Sequence, residues 1–342
     1  MAITIKDVAE EAQVSFQLVS AVLGNKSYAR AAVDTRERIW SAANKLGYQP
    51  NISARVLKGS ASKLLGVMID SRAPEETFSL LAELEYAAGC HGYRILIAQA
   101  HDNPEKLLES YYELKQNGVD GIISLAHDYP GQHCRLDQVL KEEKRIVFIR
   151  NTAEQQLSYV DVDVAMGIEN AVLHLEGQGY RNIALLLVET APGEEHTISI
   201  RQRLAGFTRS CPKGQVYYVP SCATEIDELE QHCRKLIHHE FRVKAIDAII
   251  AQNDYIAAVL LKELQSSGIK VPSDFGIIGC DNRLICQCLP VKLTTLNYDR
   301  KLVAETALKF LFKHLKGDET RLKAVFQPQL IIRESTQRKE GF

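Results

Sequence analysis

The stretch TIKDVAEEAQVSFQLVSAVL, residues 4–23, decides the fold at the start of this chain. Apolar side chains recur in its first half at the i, i+3, i+4, i+7 spacing of one helix face: Ile5, Val8, Ala9 and Ala12. Thr4 precedes this stripe with Asp7 three residues later, a spacing that predicts a capping box. After a break at 13–14, Ser15 is placed to cap a second helix. Two short helices joined this tightly predict a helix-turn-helix, whose second helix fits the major groove of DNA.

The second helix is predicted to have a buried face and an open face. Its spacing turns Val19, Val22 and Leu23 inward. The outward face then carries Phe16, Gln17, Ser20 and Ala21. Glutamine can pair with adenine through two hydrogen bonds, and phenylalanine can pack on a thymine methyl group, so this face is suited to base edges.

Charge is distributed unevenly along the chain. The residues up to Lys63 hold nine Lys or Arg and five Asp or Glu, a net charge of +4, whereas the whole chain has a net charge of −2 and the remainder carries −6. Basic charge concentrated at one end of an acidic chain is expected of a module that contacts phosphates. Small helical domains also often carry a few extra lysines, so charge alone leaves both interpretations open.

Two segments carry a resemblance to a known family: TIKDVAEEAQVSFQLVSAVL at 4–23 and DTRERIWSAANKLGYQPNISARVLK at 34–58. Both strongly resemble the DNA-binding segment of the LacI family of bacterial transcription regulators, and the likeness continues to about residue 336. The resemblance implies a sequence-specific DNA-binding transcription regulator of the repressor kind, whose affinity for double-stranded operator DNA is controlled by a small-molecule effector. It also implies a fold: an N-terminal all-α helix-turn-helix with a hinge helix, then an α/β two-lobed effector body similar to periplasmic binding proteins.

The resemblance implies a role in DNA binding for several residues. The family reads base edges with the first turns of the second helix, and the matching residues are Phe16, Gln17 and Ala21. Groups that contact phosphates or cap helices match Thr4, Ser15, Ser20 and Asn25. Ala21 stands where the family often has arginine, and alanine cannot make the bidentate contact to guanine. The operator sequence is therefore expected to differ from the family's usual one.

Residues 51–60 resemble the family's hinge helix. The DNA-contacting positions of that helix match Ala54, Arg55, Leu57 and Lys58. In the family, two hinge helices pair in the minor groove and each inserts a leucine into a base step, a position that Leu57 occupies here. The alternative is that Ile52, Val56 and Leu57 only dock this helix on the body. The resemblance thus implies a homodimer, since one helix-turn-helix reads a single half-site.

Length and composition exclude several classes of protein. A chain of 342 residues exceeds the size of one hydrophobic core, so more than one domain is expected. It has no run of eighteen apolar residues and no apolar signal-peptide core, so we expect no membrane partner and a cytoplasmic location. Its eight cysteines are then expected to be reduced thiols. No nucleophile elbow, P-loop or paired CxxC motif occurs, so no enzyme activity, catalytic residue, cofactor or metal site is predicted.

From Leu64 onward, apolar strand-like runs alternate with helical patterns, which indicates βαβ units and parallel sheets. Strands are predicted at 64–69, 93–98, 121–125 and 146–149 in a first series, and at 182–188, 216–219, 245–250 and 275–279 in a second. Alternation alone would allow a barrel, whereas the resemblance favours two lobes with crossings near 160–163, 290–293 and 325–328. The expected domains are the helix-turn-helix at 1–50, the hinge helix at 51–60, a first lobe at 61–160 plus 293–325, and a second lobe at 161–290 plus 326–342.

Ligands of such bodies bind between the lobes, outside the carboxyl ends of the strands. The positions that match the family's effector contacts are Asp70, Arg72, Asp163, Arg203, Asn253 and Asp281. These groups suit hydroxyl groups or a polar heterocycle, so a sugar, a sugar derivative or another polar metabolite is expected. Structural roles also stay open: Asn253 or Asp254 could cap a helix, and Arg201 or Arg203 could bridge to a carboxylate. Arg300 stands near a position where some sugar-responsive members have an aromatic residue, which favours an anionic or strongly polar effector.

Two classes of function therefore remain. The first is a dimeric transcription regulator in which the effector moves the lobes and thereby changes the pairing of hinge helices on DNA. The second is a small-molecule binding protein without DNA function. The basic N-terminal segment argues against the second class.

Overall fold

The computed structural model describes residues 3–24, 29–48, 61–70, 75–100, 104–125, 134–149, 157–190, 195–220 and 226–338. The chain divides into two compact units, Met1–Ser62 and Lys63–Phe342. The hinge helix predicted at 51–60 lies outside the described residues, and so do Asn25 and Arg72.

The first unit is helical. Its helices are α1 (Ile5–Glu11), α2 (Phe16–Leu23) and α3 (Val33–Leu46). Each helix contributes one fully buried branched side chain to a shared core, namely Val8, Val19 and Ile39. Burial of these apolar faces, rather than helix propensity, holds such short helices together.

Local signals set the ends of the first two helices. Both predicted caps are confirmed, because the Thr4 amide donates to the Asp7 carboxylate at 2.7 Å and the Leu18 amide donates to Ser15 Oγ at 3.3 Å. The break between the helices is longer than the two residues predicted, since α1 ends at Glu11 and α2 begins at Phe16. Gln13 closes α1 with a left-handed φ of 53°.

The second unit has two lobes, each built on a six-stranded sheet. The strands of the first lobe are β1 (Leu64–Asp70), β2 (Arg94–Ala100), β3 (Gly121–Ser124), β4 (Ile146–Ile149), β5 (Tyr159–Val162) and β11 (Lys323–Phe326). They are parallel in the order β11-β5-β4-β3-β1-β2. The helices of this lobe are α4 (Glu75–Cys90), α5 (Pro104–Gln116), α6 (Cys134–Glu142) and α12 (Arg300–Leu315). Val67 and Met68 of β1 point into different cores, so these strands read as continuous apolar runs.

The second lobe repeats this plan. Its strands are β6 (Ile183–Val188), β7 (Gln215–Val219), β8 (Ala248–Ala251), β9 (Gly276–Cys280), β10 (Thr294–Asn297) and β12 (Gln329–Ile331), in the order β12-β10-β9-β8-β6-β7. Only the edge pair β10–β12 is antiparallel among the described pairs. The helices are α7 (Val164–Gly177), α8 (Ile198–Ser210), α9 (Ile226–Leu236), α10 (Asp254–Ser266) and α11 (Ile285–Cys288). A π-helical segment, Ile237–Phe241, extends α9, and a 3-10 turn follows at Glu334–Thr336.

The chain crosses between the lobes three times, and one predicted crossing is wrong. The crossings follow β5, β10 and β11. The crossing expected near 290–293 lies after Asn297, because Thr294 pairs with Ile278 in the second sheet. The strand sequence TTLN carries two hydroxyl groups, so a search for apolar runs does not detect it. Residues 161–162 and Phe326, assigned to the second lobe, lie in the first sheet, where Asp161 pairs with Val325 and Val162 pairs with Phe326.

The predicted fold class is otherwise confirmed: a helical N-terminal unit precedes a two-lobed α/β body with largely parallel sheets. None of the helices in the described ranges combines the length and the apolar character needed to cross a membrane.

Candidate functional site

Helix α2 presents its first turn to solvent. The Phe16 side chain is 46% exposed, Gln17 is exposed and Ser20 is half-buried. Ala21 is only 7% exposed and packs in the helical core, so the prediction that it faces outward is wrong. A methyl group is small and apolar enough to be buried at this position. Among the described residues, Phe16 and Gln17 therefore remain the candidates for reading bases.

Thr4 and Ser15 serve as helix caps. The Thr4 amide and hydroxyl donate to the Asp7 carboxylate at 2.7 and 2.8 Å, and these two bonds hold the pKa of Asp7 below its ordinary value. Ser15 Oγ accepts the Leu18 amide. The phosphate contacts predicted for Thr4, Ser15 and Ser20 stay predictions. The remaining predicted DNA contacts lie outside the described residues: Asn25, Ala54, Arg55, Leu57 and Lys58.

Arg36 is a positioning residue that the sequence patterns did not single out. Its Nη2 donates to the Ala29 carbonyl at 2.6 Å and its Nε donates to the Ala31 carbonyl at 3.4 Å. These bonds fix the segment that leads into α3. No motif marks a bond from a side chain to a distant carbonyl, so the sequence carried no signal for it.

The carboxyl ends of the strands in the two lobes face each other. Helix α4, which follows β1 in the first lobe, is bonded there to residues of the second lobe. Arg283 Nη1 lies 3.4 Å from Glu75 Oε1 and donates to Ser79 Oγ at 3.1 Å. The Tyr255 hydroxyl also donates to the Glu75 carboxylate. We call Glu75, Ser79, Tyr255 and Arg283 the interlobe latch. The space beside it is the expected place for a ligand in this type of fold.

The side chain of Asp254 is buried at the carboxyl ends of the strands of the second lobe. Its carboxylate accepts the Arg283 amide and the Thr295 hydroxyl, both at 2.6 Å. Burial raises the pKa of Asp254, and these two bonds act in the opposite direction. Gly279 passes so close that a Cβ atom there would overlap with the Asp254 carboxylate. The sequence offered Asp254 only as a possible helix cap, because its partners Arg283 and Thr295 are distant in the chain.

Arg203 is buried in helix α8, with 6% of its surface exposed. Its Nη1 donates to the carbonyl of Ser199 at 3.3 Å and to the hydroxyl of the same residue. Its Nε has no hydrogen-bond partner within the described ranges. The structural alternative named Arg201 or Arg203 as a bridge to a carboxylate, and the exposed Arg201 makes it, with Nη1 3.9 Å from Glu195 Oε2.

Asn253 and Asp163 both cap helices. Asn253 Oδ1 accepts the Ile256 amide at 2.9 Å at the start of α10. Asp163 Oδ1 accepts the Met166 amide at 3.0 Å at the start of α7, where the chain crosses between lobes. The structural alternative raised for Asn253 is therefore present in the structure. A contact with an effector stays a prediction for both residues.

Asp281 begins a strained loop at the carboxyl end of β9. It has a φ of 98° and Asn282 a φ of 51°, conformations that cost non-glycine residues free energy. The Asp281 amide donates to the Leu296 carbonyl at 2.8 Å, and its own carbonyl accepts a bond from Arg300 Nη2. Two successive residues with unfavourable backbone conformations indicate that the shape of this loop serves binding rather than stability.

Several predicted site residues converge on this strand end. Burial raises the pKa of the Cys280 thiol, and the charges of Arg203, Asp281, Asp254 and Glu76 also act on it. Arg203 lies in α8, whose Ile200 and Phe207 share a buried apolar cluster with Cys280, the residue before Asp281. Asp70 is the last residue of β1, at the corresponding edge of the first lobe, and Arg72 lies outside the described residues.

Buried polar atoms without a hydrogen-bond partner are concentrated at these strand ends. Buried polar atoms in proteins are normally bonded, so such atoms need an explanation. Among the described residues of the strand ends and the helices beside them, they are Ser124 Oγ, Gln202 Oε1, Arg203 Nε, Arg283 Nε, Asn297 Oδ1 and Arg300 Nε. Donors and acceptors left open at one edge are suited to bind a small polar molecule.

The buried cysteines do not form a metal site in the part of the chain that the structure describes. No cluster of three or more His, Cys, Asp or Glu side chains suited to a metal ion occurs there. Burial raises the pKa of Cys286 to about 12, so this thiol is protonated at neutral pH. Protonated buried thiols are poor metal ligands.

Comparison with known proteins agrees with both units. Residues 4–51 match the family model for bacterial regulatory proteins of the lacI family, and residues 172–336 match a periplasmic binding protein-like domain. The HTH-type transcriptional regulator DegA of Bacillus subtilis (strain 168) is 27% identical, over 98% of this chain and 98% of that protein. The HTH-type transcriptional repressor PurR of Aliivibrio fischeri (strain MJ11) is 25% identical, over 97% of this chain and 98% of its own length.

Solved structures show the same fold. A Lac repressor dimer bound to operator and the anti-inducer ONPF superposes with a TM-score of 0.85 at 23% identity, covering 98% of this chain and 99% of that one. A complex of the transcriptional regulator CelR with cellobiose has a TM-score of 0.66 at 22% identity, over 97% and 99% of the two chains. The helix-turn-helix and the two-lobed body together define a DNA-binding transcription regulator. The matches of its two units and its regulator relatives together support a regulator of the LacI family.

Proposed function

We propose that this chain is a repressor that binds operator DNA through α2 and binds a small polar effector between its lobes. One observation carries the proposal: a single chain joins an exposed Phe16–Gln17 edge on a helix-turn-helix to a body with open polar groups at facing strand ends. Relatives named as transcriptional regulators and repressors support it. The proposal makes the chain a binding protein rather than an enzyme, acting in the cytoplasm, where bacterial operators lie.

The proposed effector site lies beside the interlobe latch. Its contacts are Asp70, Arg72, Asp163, Arg203, Asn253 and Asp281. Ligand bound between the lobes favours the closed arrangement, in which Arg283 and Tyr255 hold Glu75. Because binding energies at two sites are linked, any change that the effector makes in operator affinity is matched by an equal change that the operator makes in effector affinity.

The proposal includes a homodimer, because one helix-turn-helix reads only half of a symmetric operator. The second lobe offers a surface that a second copy could cover. An apolar groove of about 600 Å³ runs between α9, α10 and α11. Its apolar lining residues are Ile226, Ala258, Val259, Leu261, Ile285, Leu289 and Pro290. The solved Lac repressor with a similar fold is a dimer, which supports this part of the proposal.

Selection of bound sequences from random DNA tests the proposed function. We expect the wild-type chain to enrich a symmetric motif. Gln17→Ala removes the amide that can pair with adenine, so it is expected to lose the preference for adenine at one position of each half-site, at a cost of about 1–3 kcal/mol. The matched control is Asn44→Ala, which truncates an exposed amide on α3.

The control is expected to retain both the motif and the affinity of the wild type. Absence of any enriched motif for the wild-type chain would contradict the proposed function. If Gln17→Ala instead weakened binding equally on all sequences, Gln17 would be a phosphate-contacting residue and not a base-reading one.

A further inference from the structure

Two arginines at the proposed effector site have no negatively charged partner within the described ranges. The hydrogen bonds of Arg203 go to the carbonyl and hydroxyl of Ser199. Arg300 donates to the carbonyl of Asp281 and lies over the Tyr298 ring, 5.1 Å from its centre. In both residues Nε is buried and has no hydrogen-bond partner in the part of the chain that the structure describes. A guanidinium removed from water without an anionic partner is costly.

Both arginines belong to elements at the same strand end. Arg203 lies in α8, whose Ile200 and Phe207 share a buried apolar cluster with Cys280, the last residue of β9. Arg300 bonds to the carbonyl of the next residue, Asp281. They come from different sides, because Arg203 lies in α8 of the second lobe. Arg300 is the first residue of α12, which packs on the first lobe. A group bound to both would therefore join the lobes.

Several carboxylates around this point already have donors within the protein. Asp254 accepts the Arg283 amide and the Thr295 hydroxyl. Glu76 accepts the Tyr298 hydroxyl, and Glu75 pairs with Arg283. Among the described residues, the guanidinium groups of Arg203 and Arg300 thus still lack an anionic acceptor for their remaining N–H groups. A neutral sugar supplies hydroxyl acceptors but does not neutralise the two guanidinium groups.

We infer that the effector is an anion, held by its phosphate or carboxylate group between Arg203 and Arg300. This inference rests on the proposed function and narrows it to a class of ligand. Arginine suits both groups because its planar N–H donors match two oxygen atoms at once. Binding of the anionic group to both lobes favours their closure.

The test uses the full chain and small anions of known chemistry. Thermal unfolding is followed at constant ionic strength with inorganic phosphate, malonate or chloride, and calorimetry compares glucose 6-phosphate, glucuronate and glucose. Phosphate-bearing and carboxylate-bearing probes separate the two sources of charge. We expect one of these anions to raise the unfolding temperature above that in chloride, and a charged sugar to bind more tightly than glucose.

Two variants test whether Arg300 is a residue that binds the anion. Arg300→Gln keeps a hydrogen-bonding amide and removes the charge, and it should weaken anion binding about 10- to 100-fold, the usual effect of losing a bond between charged groups. Lys301→Gln is the matched control, because it removes the same charge from the neighbouring, exposed position. It should leave anion binding unchanged.

Three results would overturn the inference. They are stabilisation by none of the anions, equal stabilisation of wild type and Arg300→Gln, and tighter binding of glucose than of either charged sugar. Operator selection is run on the same preparations. A chain that selects an operator but ignores every anion refutes the anionic effector alone, whereas a chain that selects no operator refutes the proposed function.

Discussion

At the residue scale, Asp254 joins segments that are far apart in the sequence. Its carboxylate bonds the loop after β9 through the Arg283 amide and bonds β10 through the Thr295 hydroxyl. The same arginine extends its side chain to Glu75 in the first lobe. Asp254 therefore connects the strained loop at Asp281 with the interlobe latch. A substitution that removes this carboxylate is therefore expected to affect both the loop at Asp281 and the interlobe latch.

Gly279 is predicted to be required beside Asp254. In Gly279→Ala the new methyl group overlaps with the carboxylate, so overpacking should lower the free energy of unfolding by about 1–3 kcal/mol. The measurement is urea denaturation. Gly89→Ala is the control, because its methyl group meets nothing within 4 Å in α4, and it should stabilise by about 0.5–1 kcal/mol. Equal stability of the two variants would show that the site relaxes around the added methyl.

Residue patterns predicted contacts that are local in sequence and missed the others. The Thr4 and Ser15 caps bond residues three positions away, so spacing was sufficient to predict them. Asp254 acts on partners that only the folded chain brings near. Arg36 bonds carbonyls five and seven residues before it, a spacing that belongs to no helix or capping motif. Ala21 was misplaced because helix periodicity assigns a direction to each residue without showing whether a small side chain is covered by a third helix.

At the element scale, the interlobe latch ties the start of α4 to the first turn of α10 and to the loop that follows β9. Three of its contacts come from one short stretch of α4, through Glu75 and Ser79. The elements themselves were largely predictable, because buried parallel strands read as apolar runs. β5, β10 and the edge strands β11 and β12 were not, since their residues are mixed or half-exposed.

Breaking the latch is predicted to loosen α4. Arg283→Gln removes the bonds to Glu75 and Ser79, a loss of about 1 kcal/mol because Glu75 is largely exposed. Amide hydrogen exchange in the first turn of α4 should then become roughly five-fold faster. Arg209→Gln serves as the control, since its pair with Glu169 at 2.7 Å lies wholly within the second lobe. Unchanged exchange in α4 of Arg283→Gln would show that the latch does not restrain this helix.

At the scale of the whole molecule, the apolar groove on the second lobe is the proposed dimer interface. It lies on helices that also form the edge of the effector site, since α10 begins at Asp254 and α11 follows the loop at Arg283. A second copy bound in this groove would therefore contact helices that also border the effector site, so effector binding could alter the dimer interface. Half-site recognition by each helix-turn-helix would then depend on the same contact.

Val259→Glu is predicted to separate the dimer. It places a charge in the groove, so sedimentation velocity should show monomers at micromolar concentration, and operator binding should weaken because each half-site is bound alone. Val243→Glu is the control, because Val243 is 76% exposed outside the groove, and it should remain dimeric. A dimeric Val259→Glu protein would place the interface elsewhere.

The three crossings between the lobes have a consequence for how the gene can be recombined. The first lobe is assembled from two separate stretches of chain and the second lobe from two others, so neither can be cut out as one piece. The helical unit, in contrast, is one continuous stretch that ends at Ser62. A single junction suffices to exchange it for another reader of DNA, whereas an exchange of one lobe requires three junctions at once. Specificity for DNA can therefore be exchanged by recombination at one junction, whereas the effector body is exchanged most simply as a whole.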